Sequence, residues 1–136
     1  MKLFFDTAPF IYLTENHPIF ASQVKKIITD AIQQQDTMIT SVVTLAEFGI
    51  MPTRKDRSDL IVQFENFLDN LNIDILQVRK NDARKAYELR AKYQFLKGMD
   101  AFQLAIAINE NCDQFVTNDK KLEKVSEIKV VTLENE

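Results

Sequence analysis

Asp6, Glu47, Asp100 and Asp119 are four carboxylates that each stand just beyond an apolar run or inside the opening turn of a helix. An α/β fold gathers its ligand-binding edge at such places. Acid side chains brought together without cations repel one another, by roughly 4 kcal/mol for a pair about 4 Å apart at intermediate dielectric. A cluster of this kind implies a metal. Hard oxygen ligands favour Mg²⁺ or Mn²⁺ over Zn²⁺, which more often recruits His or Cys. His17 and Cys112, the chain's one histidine and one cysteine, are too few to build a zinc site. A carboxylate-bound divalent ion can activate water and stabilise charge on a phosphoryl group, so the expected reaction class is metal-assisted phosphodiester cleavage.

The elements that must position these acids are legible from apolar spacing. Lys2-Leu3-Phe4-Phe5 is a short buried strand ending at Asp6, after which the chain turns helical. Pro18 opens a helix whose Ile19, Phe20, Val24, Ile27, Ile28, Ala31 and Ile32 keep to one stripe. Thr37–Thr40 reads as a second strand and Ser41–Ile50 as a helix. A polar stretch from Pro52 to Ser58 separates it from a helix carrying Leu60, Ile61, Phe64, Phe67, Leu68 and Leu71. Ile73–Val78 is a third strand, Ala83–Tyr93 a helix, Asp100–Asn109 another, Phe115–Thr117 a fourth strand and Ile128–Leu133 a fifth. Strands separated by helices predict one α/β domain with a mainly parallel sheet of about five strands, flanked by helices. The four acids then share the carboxyl edge of that sheet.

Composition bounds the function. The 136 residues, 46% hydrophobic with 2 Gly and 3 Pro, suit one core and leave no room for a second domain. A net charge of −3 and a pI near 5.2 are unlike those of a protein that holds duplex nucleic acid by neutralising many phosphates, so such a substrate must be gripped locally or through metal. One cysteine cannot form an internal disulfide, and neither a signal peptide nor an apolar stretch of membrane-spanning length is visible, so a cytoplasmic setting with no membrane partner is expected.

Four short motifs in order carry a resemblance. Phe5-Asp6-Thr7-Ala8-Pro9-Phe10-Ile11-Tyr12-Leu13, Ser41-Val42-Val43-Thr44-Leu45-Ala46-Glu47, Gly98-Met99-Asp100-Ala101-Phe102-Gln103-Leu104-Ala105-Ile106-Ala107 and Phe115-Val116-Thr117-Asn118-Asp119-Lys120-Lys121-Leu122 resemble the acidic motifs of the PIN-domain family, most closely its VapC-type toxins. Those toxins are the ribonuclease halves of toxin–antitoxin pairs. The resemblance spans nearly the whole chain, taken as one domain over 1–136, and no acid of the set is missing. It implies a metal-dependent endoribonuclease that cuts single-stranded or structured RNA, a small cognate antitoxin covering the site, and a homodimer. It also implies that Asp6 and Asp100 bind Mg²⁺ or Mn²⁺ directly, and that Glu47 binds metal or orients the attacking water. Asp119 is implied to act through water or to support a second ion, with Thr117 and Asn118 holding the local turn.

Each residue has a plainer reading. Thr44-x-x-Glu47 fits a capping box, Asp100 could complement its helix dipole, and Asp119 could serve a turn. Asp6 has no evident local partner. His17 reads as a turn or surface residue and Cys112 as a packed thiol. Arg54, Lys55 and Arg57, with Lys120, Lys121 and Lys124, read as solvated faces able to steer RNA, and Lys97 is the better single candidate because it lies close to Asp100. A phosphoacceptor receiver domain needs an acid pair after the first strand, and an Asp-x-Asp phosphatase needs an acid at position 8, where Ala stands. No glycine-rich phosphate loop follows the first strand, which argues against dinucleotide binding. The remaining rival is a non-catalytic PIN-like binding or scaffold module.

Overall fold

The computed structural model describes residues 1–134; the last two residues of the domain expected over 1–136 lie outside the described residues. Its elements run β1 (Lys2–Phe5), α1 (Thr7–Thr14), α2 (Phe20–Gln33), β2 (Thr37–Ser41), α3 (Val42–Phe48), α4 (Ile50–Arg54), α5 (Ser58–Asn70), β3 (Ile73–Leu76), α6 (Lys80–Lys92), α7 (Gly98–Asn109), β4 (Gln114–Thr117), a 3₁₀ turn at Lys120–Lys124, and β5 (Lys129–Thr132). The five strands pair in the order β3-β2-β1-β4-β5, every pair parallel. β1 is therefore central. Leu3 pairs with Met38 on one side and Gln114 on the other, which brings the carboxyl ends of β1, β2 and β4 to one edge.

Alternation along β1 sends Leu3 and Phe5 to one face and Phe4 to the other. Phe4 stacks on Phe115 at 5.3 Å between ring centroids and packs against Leu89 of α6 and Leu104 and Ile106 of α7. Leu3 and Phe5 meet Phe10, Val24, Phe64 and Leu68 from α1, α2 and α5. Each such side chain, taken wholly from water, contributes about 1.5–3 kcal/mol. Both faces of the sheet are covered, which is why its strands read as apolar runs. With so few glycines available, the left-handed residues that stop the chain after its helices are Asn16, Gln35, Asp56, Asn72 and Asn111, with φ between 53° and 58°.

Three expectations need correcting. Helix α2 starts at Phe20 rather than at Pro18, because the His17 imidazole Nδ1 accepts the N–H groups of Ile19 and Phe20 at 3.1 Å and holds the entry turn. The segment after α3 is not a plain polar connection: Gly49 breaks the helix and α4 carries on through Pro52. Pro52 is tolerated because the first-turn N–H groups of a helix have no intrahelical partner to lose. The third strand stops at Leu76, so the expected end at Val78 is two residues too long.

Candidate active site

Asp6 leaves β1 and caps α1. Its Oδ1 accepts the Thr7 N–H at 2.8 Å, and its Oδ2 accepts the Thr117 hydroxyl at 2.8 Å across the β1–β4 pair. The expectation that Asp6 lacks a local partner is thus corrected: an acid one residue past the strand is placed to satisfy a helix N-terminus. Burial raises its pKa, the Thr117 and Thr7 bonds oppose the rise, and the charges of Glu47 and Asp119 add to it.

Glu47 sits near the end of α3, where its Oε1 accepts the Thr7 hydroxyl at 2.6 Å. The capping-box reading fails, because Ser41 is the cap of α3 and its Oγ accepts the Val43 N–H at 3.1 Å. Thr44 turns inward instead. Its hydroxyl lies 3.2 Å from that of Thr7 and 2.9 Å from that of Thr40, and it accepts the Gln103 Nε2 amide at 2.7 Å. Ser41 in turn donates to the Gln103 Oε1. Gln103, 1% exposed, lies one turn beyond Asp100 on α7. A buried polar chain therefore runs from Glu47 through Thr7, Thr44 and Gln103 to Ser41, fixing α1, α3 and α7 against the end of β2.

Asp100 stands in the first turn of α7, half-buried; the N-cap position is Lys97, whose side chain makes no capping bond, and the Asp100 carboxylate has no hydrogen-bond partner among the described residues. Burial pushes its pKa up to about 6, with the charges of Asp6, Asp119 and Glu47 adding and Lys97 opposing. An acceptor-only group facing three other acids is in an unfavourable place unless a cation arrives. Asp119 is exposed after β4; its Oδ1 accepts the Lys121 N–H at 3.1 Å, and its own N–H donates to the Thr117 hydroxyl at 3.2 Å. The turn reading of Asp119 is therefore realised, while one carboxylate oxygen stays free of that bond. Among the described residues, no three His, Cys, Asp or Glu side chains already stand as ligands of a single ion. The donor set itself is all carboxylate, which fits a hard divalent cation.

Thr7, Thr44 and Gln103 escaped the sequence reading as working residues, although Gln103 is a polar side chain three residues after Asp100 on an otherwise apolar face. Asn118 donates to the Tyr12 hydroxyl at 2.7 Å and so ties the β4 turn to α1. Burial pushes the Cys112 thiol up to about 12, as suits a packed side chain. Arg57 is taken up by Asp59, at 2.9 Å, and Lys55 borders an apolar groove of about 470 Å³ lined by Ile11, Phe48, Met51, Phe64 and Phe67 that opens beside Glu47. No helix among the described residues is long and apolar enough to cross a membrane.

The family model described as PIN domain matches residues 3–128. No curated protein matches the chain. Among solved structures, the fold is similar to VapBC2 from Rickettsia felis bound to a fragment of its promoter DNA, with TM-score 0.77, 18% identity and coverage of 98% of this chain and 100% of that one. It is likewise similar to DNA-bound VapBC from Salmonella typhimurium, with TM-score 0.78, 16% identity and 98% of each chain covered. A third similar structure is Mycobacterium tuberculosis VapC20, a sarcin-ricin loop cleaving toxin, with TM-score 0.68, 14% identity and 93% and 98% of the two chains covered.

Proposed function

This chain belongs to the PIN domain family, and from that premise we propose that it is a divalent-metal-dependent endoribonuclease, the toxin of a toxin–antitoxin pair. The observation that carries the reading is the half-buried, unpartnered Asp100 carboxylate, held in the field of Asp6, Glu47 and Asp119 at the carboxyl edge of the sheet. Those four acids would hold Mg²⁺, or Mn²⁺ in its place. Such an ion supplies an activated water and neutralises charge on the phosphate being cut.

The chain's own residues do the positioning. The Thr7 N–H and Thr117 hydroxyl fix both oxygens of Asp6, so its carboxylate presents its remaining lone pairs in one orientation. The Thr7 hydroxyl orients Glu47 to bind metal or to align the attacking water. Gln103 locks the helix that carries Asp100 to the helix that carries Glu47. Lys97, whose charge already acts on Asp100, is placed to draw a phosphate towards the acids. The apolar groove beside Glu47, with Met51 48% exposed at its rim, suits an apolar segment of the cognate antitoxin, which would cover the site. A homodimer is part of the same reading.

The test is cleavage of tRNA, rRNA fragments and single-stranded RNA with Mg²⁺, with Mn²⁺ and with EDTA, beside Asp6→Ala. Metal-dependent cutting lost in the variant supports the reading. A folded protein free of antitoxin that cuts none of them favours the alternative, a PIN-like scaffold. One observation stands on that side, namely that no three described acids are yet closed around one point.

A further inference from the structure

Helix α6 carries Lys80, Arg84, Lys85, Arg90 and Lys92 against Asp82 and Glu88, a basic segment in a chain of net charge −3. Asp82 is wholly buried and occupied by Arg79 and Asn109, so it offers little negative charge to the surface. Asp82, Ala86 and Leu89 form the inward face. Lys80, Arg84 and Tyr87, at i, i+4 and i+7, fall together on the outward one. Tyr87 is 65% exposed and is the one large apolar side chain of α6 on the surface. At its amino end the helix borders an open polar cleft of about 710 Å³ lined by Arg79, Lys80, Asn81, Arg84, Lys85 and Glu88, in which the one acid, Glu88, is paired with Lys85 at 3.3 Å.

The strip leads to the acids. Asn109 bonds Asp82 at the start of α6, whereas Arg90 near its end donates to the Leu96 carbonyl at 3.3 Å and lies beside Gly98, so α6 and α7 run antiparallel. The ten residue steps of helix from Lys80 to Arg90 span about 15 Å. Beyond them come Lys97 and then Asp100. Among the described residues, Lys80, Arg84, Arg90 and Lys97 take part in no ion pair.

We infer that this face of α6 is a track for single-stranded RNA, with Lys80, Arg84, Arg90 and Lys97 taking phosphates in turn and Tyr87 stacking a base on the way to the acidic edge. The inference rests on the nuclease reading above and adds where the substrate lies. Unpaired cations interleaved with an exposed aromatic are the features that hold single strands without regard to sequence. A protein-docking face would instead be poor in lysine and would bury several apolar side chains at its centre.

The test uses full-length protein carrying Asp100→Asn, so that RNA stays intact, titrated with labelled single-stranded RNA at several salt concentrations. Lys80→Glu with Arg84→Glu should weaken binding at least about tenfold. The pair should also flatten the dependence of log Kd on log salt by about 1.4, two phosphates at about 0.7 each. Tyr87→Ala should weaken binding about 5- to 100-fold, and Tyr87→Phe should restore it. With Asp100 intact, the same changes should fall on KM more than on kcat. All three positions are exposed, and circular dichroism checks that the variants fold. If wild-type protein cuts RNA but the variants keep its Kd and salt slope, the track is refuted and the nuclease reading survives. Failure of folded wild-type protein to bind or cut any RNA overturns both. Unchanged RNA affinity with lost self-association in light scattering assigns the strip to protein contact and overturns the track.

Discussion

Replacing Asp100 by Asn should stabilise the metal-free protein while destroying cleavage. The folded carboxyl is raised from 3.8 to about 6 by burial and by Asp6, Asp119 and Glu47. At about 1.4 kcal/mol per pH unit, a fully buried group would carry close to ~3 kcal/mol of strain when ionised. Asp100 is only half-buried, and solvent screening reduces this to about 1–1.5 kcal/mol. Because the folded-state pKa is the higher one, the folded protein binds the proton more tightly than the unfolded chain. The penalty is therefore missing below about pH 4, grows as pH rises, and is complete above about pH 6. In EDTA at about pH 7.5 the variant should gain that amount in urea unfolding, or roughly 3–5 °C in Tm. Near pH 4 the two proteins should be equally stable. Added Mg²⁺ should raise the stability of the wild type more than that of the variant, since only an ion bound to the folded state stabilises it. A variant that is no more stable than wild type at about pH 7.5, or whose gain persists unchanged at about pH 4, would refute the claim that Asp100 sits among repelling acids.

Two further outcomes bear on the side chains that hold the acidic edge in place. Gln103→Leu leaves the Ser41 and Thr44 hydroxyls without their amide partner and should cost about 1–3 kcal/mol in denaturant unfolding, with cleavage falling further than the loss of folded protein accounts for. Thr117→Val removes a bond that holds the Asp6 pKa down, so the acid limb of the pH–rate profile should move to higher pH, and an unmoved limb would separate Asp6 from the rate-determining ionisation.

The parallel order of strands and helices was legible in the sequence because periodicity is local: a run such as Lys2–Phe5 or an amphipathic stretch such as Phe20–Gln33 declares its type over a few residues. Asp6, Asp100 and Asp119 were legible for the same reason, since each lies at an element boundary that the run itself marks, whereas Glu47 lies inside its helix and was singled out by the motif it resembles. What each acid touches was not. Thr7 and Glu47 are 40 residues apart in the chain, and Gln103 and Thr44 are 59 apart, so no window of sequence contains either pair. Chain folding alone decided that Asp6 is bonded at both oxygens while Asp100 is bonded at neither. It likewise turned Thr44 from a candidate cap into a buried link, and set the basic face of α6 running towards the acids. Residue types and local spacing thus fix which groups the chain can offer to chemistry, whereas burial and long-range hydrogen bonding fix the orientation and charge environment in which each group is presented.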